Sequence, residues 1–187
     1  FQKYSRVANS RGFTGAEVAR QMLESAGIRD VCVERIAGNL TDHYDPSHKI
    51  LRLSEAVYGS QSVAALGVAA HETGHAIQHA ENYSFLWARS AMVPCTNLGS
   101  RLSIPLVIIG LLINSGWSYY LMIAGIVLFS FTVLFTLVTL PVEFDASRRA
   151  LHMLEGQNYL YDSELSGAKK VLTAAAMTYV AAAATAI

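Results

Sequence analysis

Residues 64–80 read AALGVAAHETGHAIQHA, which sets His71, Glu72, His75 and His79 in an otherwise apolar, alanine-rich run. Positions four apart share one face of an α-helix, so His71 and His75 can aim two imidazole nitrogens at a single ion. Glu72 stands beside them, near the ion's open position, where it could take a proton from an attacking water. This is the HExxH arrangement of two metal ligands and a general base. Zinc suits it, because imidazole and carboxylate are both good ligands and a catalytic zinc keeps one position open to water. A purely packing role is costly: each polar group buried without a partner costs roughly 2–7 kcal/mol. A metal removes that cost.

Two histidines are not enough, and the third ligand must come from elsewhere. His79 lies one turn further on, but the helix face drifts by about 40° every four residues. Three histidines at that spacing do not readily converge on one tetrahedral ion, so His79 is expected behind the ligands or at the surface. Glu143 is better placed. It is the first charge after residues 102–141, a stretch with no charged side chain. A bilayer core takes about 20 apolar residues per helix, so this stretch can hold two spans that turn at NSGWS, residues 114–118. The arm from Trp117 to Leu140 is the clearer span; the first is short and carries Pro105. Two antiparallel spans return the chain to the side it left, which brings Glu143 back to the interface where His71 and His75 sit. Asp145 points about 200° away from Glu143 on the same helix and is expected to pair with Arg149, four residues on.

The elements that must position these residues can be read around them. In TGAEVARQMLESAG, Thr14 and Glu17 form a capping-box pattern and Gly27 is a candidate helix stop. VCVERI and HKILRLS read as two strands, as in a hairpin with a long loop, separated by the turn-rich AGNLTDHYDPS. From about residue 61 to 80 the pattern is helical. After the uncharged stretch, VEFDASRRALHMLEG reads as an amphipathic helix ending near Gly156. The final run, GAKKVLTAAAMTYVAAAATAI, begins amphipathic and becomes uniformly small and apolar, either a third span or a packing helix. The chain opens at Phe1 and stops inside this apolar run, so the natural protein is expected to continue beyond both ends.

Composition limits the partners. With 14 basic and 14 acidic residues the chain is formally neutral, and nucleic acid is not an expected partner. At 52% hydrophobic and 15% charged residues it leans towards a membrane protein, which makes a lipid bilayer one expected partner. All Lys and Arg lie outside residues 102–141, which places both flanks on the cytoplasmic side by the positive-inside tendency. Cys32 and Cys95 have no metal-like spacing and read as reduced, buried thiols rather than a disulfide.

AAHETGHAIQHA followed by a hydrophobic hairpin and EFDASRRAL resembles the bacterial neutral zinc metallopeptidases, the YugP-like membrane-bound zinc peptidases. LTDHYDP, LRLSEAVY and GAKKVLTAAAMTYVAAA resemble that family too, so the likeness covers nearly the whole chain. The resemblance implies an α+β, mostly α fold: a small zincin-like HExxH unit at 1–90, a membrane hairpin at 91–141, and a third-ligand helix with a C-terminal apolar helix at 142–187. It implies a multi-pass protein of the bacterial cell membrane, with a further N-terminal span that this chain lacks. It also implies that His71, His75 and Glu143 hold Zn2+ and that Glu72 is the catalytic base for a peptide or protein substrate. A more distant likeness is to the CAAX prenyl protease and heat-shock membrane protease group, whose motif runs Glu-Phe-x-Ala-Asp. Ser147 stands in the place of that Asp, so the partner of the ligand histidine is open among Ser147, Asp145 and His79.

Substrate could pair with KILRLS as an edge strand, and His43, Tyr44 or Tyr179 could steady an oxyanion; no spacing selects among them. Two rival readings stand. A site-2-type protease would need a Leu-Asp-Gly tripeptide, which does not occur. A non-catalytic membrane scaffold with a structural metal would need a fourth protein ligand. Oligomeric state, substrate and cleavage preference are not encoded in any recognisable pattern.

Overall fold

A computed structural model describes residues 2–186; Phe1 and Ile187 lie outside it. The elements run α1 (Gly15–Ser25), β1 (Cys32–Ile36), β2 (His43–Asp45), β3 (Ile50–Ser54), α2 (Glu55–Tyr58), α3 (Val63–Ala80), α4 (Ser84–Leu112), α5 (Ser118–Gly156) and α6 (Asp162–Ala186), after a short 3-10 turn at Tyr4–Arg6. The class is α+β and mostly α, as the sequence indicates. The chain divides into two compact units, one made of Phe1–Tyr83 with Val142–Thr178 and the other of Ser84–Pro141 with Tyr179–Ile187.

In the first unit, α3 is the central element. Its cap is the Ser62 hydroxyl, which accepts from the Ala65 amide at 3.2 Å. Small residues then let neighbours approach from two sides. Val63, Leu66 and Ala70 join a cluster with Ala150 and Leu154 of α5 and Ala168 and Leu172 of α6. Ala65, Ala69 and Ala76 join a second cluster with Leu51 and Leu53 of β3 and Ala16, Ala19 and Leu23 of α1. A helix buried on both sides has to carry any charge on the strip left between them, and that strip holds His71, Glu72 and His75. Helix α1 starts on the expected capping box, Thr14 with Glu17. It stops before Gly27, whose φ of +74° is the left-handed turn that glycine adopts without strain.

The sheet departs from the expected hairpin of two strands. Its order is β1-β3-β2, with β1 parallel to β3 and β2 antiparallel to it. The turn-rich stretch between the two expected strands contains a third, β2, which makes the tight hairpin with β3. Asp45 builds that turn: its carboxylate accepts from the amides of Ser47 and His48 at 3.0 and 3.2 Å, an Asx turn. The KILRLS strand is therefore central rather than an edge. Both of its sides are bonded, so no peptide can add to it; the free edges belong to β1 and β2.

In the second unit, α4 and α5 pack through small residues. A Cβ on Gly99 would lie 2.8 Å from the Leu128 carbonyl, and one on Gly125 would lie 2.7 Å from the Ser103 carbonyl. The backbones touch at these points. Outward-facing residues are large and apolar: Ile104, Leu111, Leu112, Ile126 and Val127 are exposed, as are Trp117, Tyr119 and Tyr120 at the turn. Both helices are long and apolar enough to cross a bilayer, and their apolar windows are 17% and 6% buried. A soluble protein's core helix would be mostly buried.

Two boundaries differ from the sequence reading, as does the burial expected of Cys32 and Cys95, both of which are exposed. The first arm is not short, because α4 begins at Ser84 and runs through Pro94 and Pro105. VEFDASRRALHMLEG is not a separate helix but the last part of α5, which continues through Pro141. A single proline removes one hydrogen bond and still leaves the helix intact when its surroundings hold it.

Candidate metal centre

His71 and His75 leave α3 from the strip between its two apolar faces, one turn apart. Their rings meet edge to face, with centroids 4.8 Å apart. Glu143 enters from α5, two residues past the uncharged stretch, and is 4% exposed. One carboxylate oxygen, Oε2, stands 3.2 Å from His71 Nε2 and 3.8 Å from His75 Nε2. Among the described residues these three form a group whose ligand atoms all lie within 4.8 Å of one another. Two ligands on a tetrahedral ion with bonds of about 2.1 Å stand about 3.4 Å apart, a value the two measured separations bracket.

The far ring nitrogens are held as well. Ser147 Oγ lies 3.1 Å from His71 Nδ1. Gln78 Oε1 lies 3.0 Å from His75 Nδ1. Gln78 is fully buried, and its amide nitrogen donates to the Val142 carbonyl at 2.9 Å and to Asp145 at 3.0 Å. With both Nδ1 atoms engaged, each Nε2 turns towards Glu143. An imidazole lone pair facing a carboxylate oxygen is repulsive unless a cation lies between them, either a proton on the ring or a metal. The donor set fits a metal on these grounds.

Electrostatics follow the same geometry. Burial opposes the charge of Glu143, but the His71 and His75 rings facing it outweigh burial and hold its carboxyl well below the usual carboxylate range. Burial likewise depresses His75, and the facing carboxylate of Glu143 with the charge of Glu72 reverses this, so its net shift is upward. Glu72 is thus near enough to act on His75 electrostatically while remaining half-buried.

Of the other residues singled out from sequence, Asp145 touches neither histidine. It is held by Arg148, by Arg149 at 2.6 Å and by Gln78. His79 stands outside the group, its Nδ1 2.8 Å from the Tyr44 hydroxyl. Burial, with Asp30 and Asp45 nearby, pushes the Tyr44 phenol up to about 12. The pair lines a cavity of about 360 Å³ with Asp30, Lys49 and Asn82. His43 faces the Thr41 carbonyl at 2.7 Å, and Tyr179 belongs to the second unit. Sequence reading missed Gln78. Its signal was an amide three residues past His75, inside a helix that is otherwise small and apolar.

A helix bearing HExxH, with a carboxylate from a later helix closing on both histidines, belongs to a recognisable class of zinc hydrolase architectures. The chain belongs to the family described as "Putative neutral zinc metallopeptidase", which it matches over residues 1–187. It is 48% identical over 183 residues to the "Putative membrane protease YugP" of Bacillus subtilis (strain 168), an alignment covering 98% of this chain and 80% of that relative. No solved structure matches.

Proposed function

We propose that this chain is an integral-membrane zinc-dependent endopeptidase in which His71, His75 and Glu143 hold the metal and Glu72 is the general base. The observation that carries the reading is the convergence of both Nε2 atoms on one oxygen of buried Glu143. Two imidazoles and a carboxylate are the donor set of one kind of catalytic zinc site, which keeps its fourth position open. When bound, zinc supplies Lewis acidity there, polarising a carbonyl and making water acidic near neutral pH. Glu72, next to His71 on α3, takes the proton from the attacking water and passes it to the departing amine. Ser147 and Gln78 keep the two rings turned inward during that transfer. Glu143 balances charge at the metal.

The membrane part of the proposal rests on the exposed apolar faces of α4 and α5 and on the family likeness. The segments flanking the uncharged stretch carry Arg89, Arg101, Arg148 and Arg149, and the turn at 113–117 carries no charge. A cytoplasmic active site in a bacterial cell membrane follows from that asymmetry, with a peptide or protein as substrate.

The test is metal analysis with a proteolysis assay on the purified chain and two variants. Glu72→Gln should keep one zinc and lose cleavage by about 10²-fold or more, the scale of general-base catalysis. Glu143→Ala should lose much of both. Full cleavage by Glu72→Gln would remove the proposed mechanism, and unchanged zinc affinity in Glu143→Ala would remove the ligand assignment.

A further inference from the structure

We infer that Gln78 is the positioning residue for His75, and that Asp145 acts through it; this rests on the metal-site reading above. Gln78 lies one turn beyond His75 on α3 and is fully buried. Its amide nitrogen has two hydrogens, and both are committed: one to the Val142 carbonyl at 2.9 Å, one to Asp145 Oδ2 at 3.0 Å. Neither partner can donate. The amide therefore cannot be turned over, because its oxygen would then face a carbonyl and a carboxylate. Only the amide oxygen is left for His75 Nδ1, at 3.0 Å. An oxygen that only accepts requires a proton on Nδ1. His75 is thereby fixed as the Nδ1–H tautomer, with its Nε2 lone pair free for a metal.

Asp145 is what makes Gln78 stiff. The carboxylate is held by Arg148 and by Arg149 Nε at 2.6 Å. Arg149 reaches Glu81, just past the end of α3, at 2.6 Å. The ring of contacts thus runs from α3 to α5 and back to the C-terminal end of α3. It also grips Val142, the residue immediately before Glu143. One amide accordingly sets the tautomer of one ligand and the backbone position of another. A carboxylate at position 78 could accept from Nδ1 equally well, but it would stand against Asp145 and offer Val142 nothing.

That last point supplies the test. Full-length wild type, Gln78→Leu, Gln78→Glu, Asp145→Asn and the double variant Gln78→Glu/Asp145→Asn are purified in detergent. Zinc dissociation constants are measured by competition with a chromophoric chelator, and folding is checked by circular dichroism. Gln78→Leu should weaken zinc by about 10- to 100-fold, the range seen when the outer partner of a ligand histidine is lost. Gln78→Glu should weaken it at least as much. The double variant should recover to within about fivefold of wild type, because the amide introduced on α5 can donate to the carboxylate introduced on α3. Recovery by a second substitution is not expected of a residue that only fills space.

If the Gln78 variants do not fold, 15N-histidine NMR of zinc-loaded wild type decides the matter. His75 should be protonated at Nδ1 and metallated at Nε2; metal at Nδ1 overturns the inference. So do an unchanged zinc constant in folded Gln78→Leu, or a double variant no better than Gln78→Glu. Wild type that binds no zinc overturns the site reading itself, which separates the two failures.

Discussion

At the residue scale, the centre treats its two histidines differently. His75 Nδ1 meets a carbonyl oxygen backed by a carboxylate, whereas His71 Nδ1 meets the hydroxyl of Ser147. A hydroxyl is neutral and rotates freely, so it orients the ring without adding charge to it. Ser147→Ala should therefore weaken zinc by about 10-fold, the low end of the usual range for such partners, as read by chelator competition. An effect above about 100-fold would mean that Ser147 is doing more than orienting His71. Far from the centre, Asp45 gives an independent check. The bond from His48, with the amides of His48 and Ser47, holds its carboxyl down to about 2 from the ordinary 3.8. A depressed carboxyl stabilises the fold above its unfolded value and loses that contribution as pH falls through its folded one. Wild type should thus exceed Asp45→Asn in stability above about pH 4, with the gap closing towards about pH 2, measured by urea titration across that window. His71, Glu72 and His75 were legible because their spacing alone places them on one strip of a helix. Gln78 was not, because its partners Val142 and Asp145 lie 64 and 67 positions away.

At the scale of elements, the distance between α3 and α5 is set by Gly74, inside the HExxH motif itself. A Cβ there would sit 2.7 Å from the Ala146 carbonyl, a backbone atom with no room to yield. Two effects compete in Gly74→Ala. Helix propensity favours alanine by about 1 kcal/mol, while overpacking against backbone costs about 1–3 kcal/mol. The clash should win, lowering the melting temperature and weakening zinc together, since α5 carries Glu143. Thr14→Ala offers the contrast: losing the capping box should cost about 1 kcal/mol of stability and leave zinc affinity unchanged. Helix α1 was readable because a cap, an apolar stripe and a stop signal agree, and α3 because it is a long run of small and apolar residues without proline. The sheet was not, since β2 is three residues long and lies in a segment whose Asn, Asp, Pro and Ser all signal turns. What makes it a strand is pairing with β3, a non-local effect. Helix α5 was read as two pieces because Pro141 and the return of charge at Glu143 resemble a boundary, yet the backbone runs on through both.

At the scale of the whole molecule, the second unit's exposed apolar side chains need a covering that the chain's described residues do not supply. On the proposed bilayer reading, the protein should stay with membranes through an alkaline carbonate wash and leave them only in detergent. Release by carbonate alone would contradict the reading. The ligand set has a further consequence for how the protein comes into being. His71 and Glu143 are 72 positions apart in the chain, and α4 with most of α5 is synthesised between them. A nascent chain halted between His75 and Glu143 already holds Glu72 and both histidines but lacks Glu143. On the proposed ligand set such a chain binds zinc weakly and cleaves nothing. On that set the interval is a delay, with hydrolytic capacity arriving only after α4 and most of α5 have been made.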